Sequence, residues 1–177
     1  MAIFARTIPT ETNRPYQKYR EQVRNDFHEC CAYCLLSELV SGGRENFELD
    51  HFKPKSLPEF NHLVNDFSNL YYACHPCNHL KSNKWPTIAL ANNGYRFFDP
   101  CKEKFSQHFN LLPNGTWQPL TKVAQYTEEQ LRLNRKHLCV IRKLLNEIAT
   151  LRGVNQIDWD TPTKEAVKLI LTGDIAR

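Results

Sequence analysis

Two cysteine pairs, Cys31-x-x-Cys34 and Cys74-x-x-Cys77, constrain this chain more than any other feature. Two residues between thiolates let one tight turn offer both sulfurs to a single ion, and two such turns complete a closed, tetrahedral structural zinc site. Cys30 could replace Cys31 by a one-residue shift, but the spacing favours Cys31. A thioredoxin-type redox pair needs a βαβ setting that neither pair has. Seven cysteines, an odd number, argue for metal or thiol chemistry rather than a disulfide framework. Cys101 and Cys139 have no paired neighbour. The stretch between the pairs is longer than a compact zinc ribbon requires, so a functional insertion is expected there.

The chain's 177 residues are enough to bury a core without cross-links. Hydrophobic and charged fractions of 41% and 24% exclude collagen-like, low-complexity and wholly disordered classes. No run approaches the roughly 18 apolar residues of a membrane span, so no membrane partner is expected. Met1 to Arg6 lacks the basic start and apolar run of a secretory signal, and a cytoplasmic location is the expectation. A net charge of +4 is compatible with a nucleic-acid partner without demonstrating one.

Periodicity divides the chain into three parts. Residues 1–29 read as an irregular lead-in and a helix with Tyr16, Tyr19, Val23 and Phe27 on one face. Residues 30–90 hold the cysteine knuckles, a short strand at Phe47–Phe52, a strand or turn at Phe67–Cys74, and a helix starting near Asn78. Residues 91–177 begin with an apolar strand at Arg96–Pro100, then a hairpin signalled by Asn114-Gly115. Thr127-Glu-Glu-Gln130 predicts a capping box opening one helix to about Arg152, with Leu138, Ile141, Leu145 and Ile148 inward. A last helix is expected over Thr163–Leu171. The class is α+β.

Between and just after the cysteine pairs stand Asp50-His51, Asn69, and Asn78-His79-Leu80-Lys81. In this order and spacing, around two Cys-x-x-Cys pairs, residues 30–85 resemble an HNH endonuclease with a ββα-metal core, in its HNN variant. The resemblance implies a small core stapled by zinc on Cys31, Cys34, Cys74 and Cys77, with an N-terminal helix and a C-terminal hairpin-plus-helices appendage. It implies His51 as catalytic base and Asn69 as the residue that steadies the histidine loop. It also implies cleavage leaving 5′-phosphate and 3′-hydroxyl ends.

The chemistry can be argued beside the resemblance. Phosphodiester hydrolysis needs an activated water and neutralisation of the charge gathering on the phosphate. A histidine titrating near neutrality suits the first need. One hard divalent ion, Mg2+ or Mn2+, suits the second, with Asp50 and the Asn78 side-chain oxygen as candidate ligands. Neighbours on a regular strand point to opposite faces, so Asp50 and His51 can cooperate only where the strand bends or if they serve different sides of the scissile bond.

His79, Lys81 and Lys84 are candidate phosphate contacts, the two lysines on one face of the expected helix. Lys53 and Lys55 flank the active strand. The last long helix is rich in arginine and lysine, among them Arg135 and Arg142, which suggests a second nucleic-acid contact or docking to an acidic partner.

The segment from Phe97 through Leu138 and its basic helix also resembles the tails of small bacterial HNH proteins encoded beside an ATPase in anti-phage defence, such as Septu-type systems. That resemblance implies an ATPase partner. Duplex DNA is the expected substrate because no RNP-like aromatic pattern occurs, and RNA stays open because no residue decides against it. The rival reading is a catalytically silent zinc-knuckle module that binds nucleic acid or protein.

Overall fold

The computed structural model describes residues 2–9, 11–12, 14–153, 157–164 and 167. A 3-10 turn at Tyr16–Tyr19 runs into α1 (Arg20–Asp26), which buries Tyr19, Val23 and the following Phe27 as the periodicity predicts. After the first knuckle, β1 (Phe47–His51) pairs antiparallel with β2 (Leu70–Cys74), in register from Phe47 opposite Cys74 to His51 opposite Leu70. Every residue of β2 is buried.

Helix α2 (His75–Lys81) follows β2 without a loop, completing a ββα unit. It begins three residues before the expected start at Asn78, because Pro76 in its first turn has a helical φ and no N–H to satisfy. It also ends earlier, at Ser82 with φ 47°, so Lys84 lies outside the helix.

The C-terminal half departs further from the sequence expectation. A short helix, α3 (Ile88–Asn92), unforeseen, is capped by Thr87, whose hydroxyl accepts from the Leu90 N–H. Arg96–Pro100 is not a strand. Phe97 and Phe98 are buried, but the segment has no strand partner: the Phe98 N–H donates to the Thr127 hydroxyl, and the Pro100 carbonyl accepts from Ile3 and Phe4.

The hairpin forms as β3 (Phe109–Leu111) and β4 (Trp117–Pro119). Gly115 closes its loop at φ 82°, and a Cβ there would lie 1.9 Å from the Cys139 carbonyl oxygen. Only glycine suits both the backbone and the space.

The capping box at Thr127 is also overturned. Thr127 lies inside α4 (Lys122–Leu131), donating back to the Val123 carbonyl, while Thr121 caps the helix by accepting from Ala124. The expected single helix breaks at Arg132, which is left-handed at φ 48°, and resumes as α5 (Lys136–Leu151) with Leu138 and Leu145 buried. Of the expected final helix only Thr163, Lys164 and Val167 are helical among the described residues, and most of its span lies outside them.

One buried cluster runs from Ile3 to Val167. Its spine is a series of rings, Phe27–Tyr71–Phe52–Trp85–Phe97–Tyr126, with successive centroids 4.6–6.3 Å apart, joining the N-terminal helix to α4 behind the small sheet. The architecture is α+β, with two separate two-stranded antiparallel sheets among the described residues.

Candidate active site and metal centre

The knuckle at 31–34 and the β2–α2 junction bring the sulfurs of Cys31, Cys34, Cys74 and Cys77 within 4.8 Å of one another, all four residues buried. The Cys34 and Cys74 sulfurs are 3.9 Å apart. A tetrahedral zinc with Zn–S bonds of about 2.3 Å requires an edge of about 3.8 Å, so the donor set fits the ion in kind and size. Cys30 stands apart, its sulfur 3.6 Å from the Thr163 hydroxyl. The Tyr33 N–H points at the Cys31 sulfur (3.4 Å) and the Arg135 guanidinium at the Cys77 sulfur (3.3 Å). Hydrogen bonds among the thiols, then burial, push Cys34 and Cys74 up, whereas Cys77 is held down by its neighbouring thiols and by the Arg135 charge.

Asp50, His51 and Asn78 line one cleft of about 340 Å³, with Tyr16 and Lys55 on its wall. Strand pairing ends at His51 and the chain bends at Phe52–Lys53, which allows adjacent residues to share the cleft. The Asn78 side chain makes no hydrogen bond to the described residues. Asp50 is 6% exposed, and both its side-chain contacts fall on Oδ2: the Tyr33 hydroxyl and the Lys81 ammonium, the latter at 3.1 Å. Oδ1 takes part in neither contact. Burial raises the Asp50 carboxyl above its ordinary value, against the pull of Lys81 and Tyr33.

His51 Nε2 lies 2.8 Å from the Val64 carbonyl oxygen. A carbonyl can only accept, so Nε2 carries the proton and Nδ1 the lone pair. The Tyr16 ring meets the imidazole edge-on, with centroids 4.7 Å apart. Burial lowers the His51 pKa, with the Val64 bond opposing and the Lys55 and Lys81 charges reinforcing the shift.

Asn69 is buried behind this loop. Its side-chain oxygen accepts from the Lys53 N–H (2.8 Å), and its amide donates to the Lys53 carbonyl (3.0 Å) and toward that of Leu63 (3.5 Å). One side chain thus ties the exit from β1 to the turn that carries Val64.

Residues 31–84 match the family model described as HNH endonuclease. This segment is an HNH domain. No curated protein matches the chain.

Within the HNH domain one candidate phosphate contact, Lys81, needs correction. Lys81 is fully buried, its ammonium shared between Asp50 and the His51 carbonyl (2.8 Å), so it faces the core rather than solvent. Lys84, beyond the helix end, donates to the Gln130 carbonyl at 2.9 Å. His79 is exposed and stacks alongside His75, centroids 6.2 Å apart, outside the cleft lining. Arg142 is also buried, over the Trp117 ring and bonded to the Gly115 and Leu133 carbonyls, and it cannot face a nucleic acid.

Tyr16, Tyr33 and Val64 are the site residues that sequence reasoning missed as part of the cleft or its support, whereas Lys55, expected beside the active strand, does line it. Tyr16 lies outside the HNH domain, and Val64 acts through its backbone, which no residue pattern marks. Tyr33 did carry a signal, a phenol placed between two metal-ligating cysteines.

Proposed function

We propose that the chain is a divalent-ion-dependent endonuclease that hydrolyses phosphodiester bonds in duplex DNA. The observation that carries this reading is the His51 imidazole, its tautomer set by Val64, in one cleft with Asp50 and Asn78. From Nδ1, His51 takes the proton of a water attacking phosphorus, and the imidazolium so formed keeps its Nε2–H bond to Val64. Asp50 and the Asn78 side-chain oxygen would hold a single Mg2+ or Mn2+ ion, whose chemistry is neutralisation of charge on the phosphate and on the leaving oxygen.

The geometry supports divided labour between the neighbours, with base and ligand fixed by separate contacts. Asn69 keeps the histidine loop in place through Lys53 and Leu63. Lys55, held at the cleft wall by a 3.0 Å bond to the Tyr16 hydroxyl, is positioned to meet a backbone phosphate. The four-cysteine zinc serves the fold. The products carry 5′-phosphate and 3′-hydroxyl ends.

The tail's resemblance supports an ATPase partner in anti-phage defence. The outward Val140 and Leu144 of α5, each about half exposed, offer such a partner an apolar seat.

Plasmid cleavage with Mg2+ or Mn2+ tests the reading, comparing wild type with His51→Ala at equal zinc content. Loss of cleavage in the variant is the expected result. Cleavage that survives removes His51 from its role, and an inert wild-type protein that still binds DNA in the presence of its partner points to the silent module.

A further inference from the structure

Tyr33 occupies the second position between Cys31 and Cys34, and it faces both metal centres at once. Its N–H points at the Cys31 sulfur at 3.4 Å, and its hydroxyl donates to Asp50 Oδ2. The residue is 2% exposed, so no water competes for that hydroxyl. Lys81 takes the same carboxylate oxygen from α2 while also donating to the His51 carbonyl. Asp50 is therefore gripped on one oxygen from two sides, by the knuckle and by the helix.

We propose that Tyr33 is a positioning residue that couples the zinc knuckle to the ion-binding carboxylate, so that zinc and the catalytic ion favour each other's binding. This rests on reading Asp50 and Asn78 as the ligands of that ion. The knuckle turn takes its shape from the four sulfurs converging on one ion, and that shape sets where the phenol points. Fixing Oδ2 leaves Oδ1, which takes part in neither contact, for the ion, and orienting contacts of this kind typically alter metal affinity about 10–100-fold. Coupling between two sites is reciprocal, so what zinc does for the second ion the second ion does for zinc.

The test measures Mn2+ binding to the zinc-loaded protein by electron paramagnetic resonance of free Mn2+. Tyr33→Phe keeps the ring and removes only the hydroxyl. It is expected to weaken Mn2+ binding about tenfold, with zinc content unchanged and the melting temperature lowered by the lost buried hydrogen bond. In wild type, saturating Mg2+ should tighten zinc against a chromogenic chelator several-fold, and in Tyr33→Phe this effect should vanish.

Equal Mn2+ affinity in wild type and Tyr33→Phe overturns the coupling, as does a zinc affinity indifferent to Mg2+ in wild type. Asn78→Ala separates the two levels: if it binds Mn2+ as tightly as wild type, the reading of the cleft as an ion site fails instead. Should Tyr33→Phe lose its zinc, 3-fluorotyrosine placed at position 33 replaces it. Its fluorine resonance should then move on Mg2+ addition, and an unmoved resonance overturns the inference.

Discussion

The Val64 carbonyl oxygen lies 2.8 Å from Nε2 of His51 and so decides which imidazole nitrogen carries the proton. A single backbone acceptor, carried on a turn with no catalytic side chain of its own, sets the proton inventory of the cleft.

The pH profile follows from this pair. Burial lowers the His51 pKa below 6.5, so the neutral, base-competent imidazole persists to lower pH than for a free histidine. Cleavage is expected to rise with pH through an inflection below 6.5 and to stay level above it. A profile of kcat/KM against pH at fixed Mg2+ checks this, and an inflection above pH 7 contradicts it. His51→Ala should lower the plateau by about 10²–10⁴-fold.

Asn69→Ala should act on rate more than on substrate binding. It removes the Asn69 partners of the Lys53 N–H and carbonyl, in bonds only partly shielded from solvent, at a cost of about 1 kcal/mol in stability, and frees the turn that carries Val64. The expected result is a fall in kcat of about tenfold to a hundredfold with KM little changed, read by single-turnover cleavage. A loss confined to KM would assign Asn69 to substrate contact.

The lysines separate by salt dependence. Lys55→Ala should reduce the slope of log K for DNA against log salt by about 1, the release of one phosphate contact. Lys81→Met should leave that slope unchanged, because its ammonium is buried against Asp50. Breaking this pair leaves the carboxylate uncompensated and should destabilise the fold by about 3–5 kcal/mol. Fluorescence anisotropy titrations across a salt series and urea denaturation read the two effects.

Gly115→Ala is a prediction about the appendage alone. The positive φ and the overlap with the Cys139 carbonyl together should cost about 3 kcal/mol, visible as a lower denaturant midpoint. Zinc content should be retained, since the hairpin contributes no sulfur to the knuckle.

Legibility in the sequence divided along physical lines. The two cysteine knuckles, the first short strand and the hairpin were readable because each follows from spacing within a few residues, whereas the second strand stayed a strand or turn until β1 paired with it. Asp50, His51 and Asn78 stood out by their placement around the knuckles, and they do line one cleft. Burial was not readable. Lys81 looks like any helix lysine until β1 covers it, and Arg142 like part of a basic stripe until Trp117 stacks on it. Thr127 has the pattern of a cap, yet its hydroxyl is spent on Val123 and Phe98, while Thr121, with no glutamate three residues on, does the capping. Phe97 and Phe98 show that an apolar run reports burial and leaves open whether a partner strand exists.

The matched residues 31–84 are held from outside themselves. Arg6 donates to the Phe67 and Leu70 carbonyls at the start of β2, Arg135 reaches the Cys77 sulfur, Tyr16 walls the histidine, and Gln130 receives Lys84. A chimaera that grafts only the conventional cassette into another scaffold would leave two backbone carbonyls and a thiolate facing unfamiliar neighbours. Borrowing this segment therefore means carrying its flanks along with it.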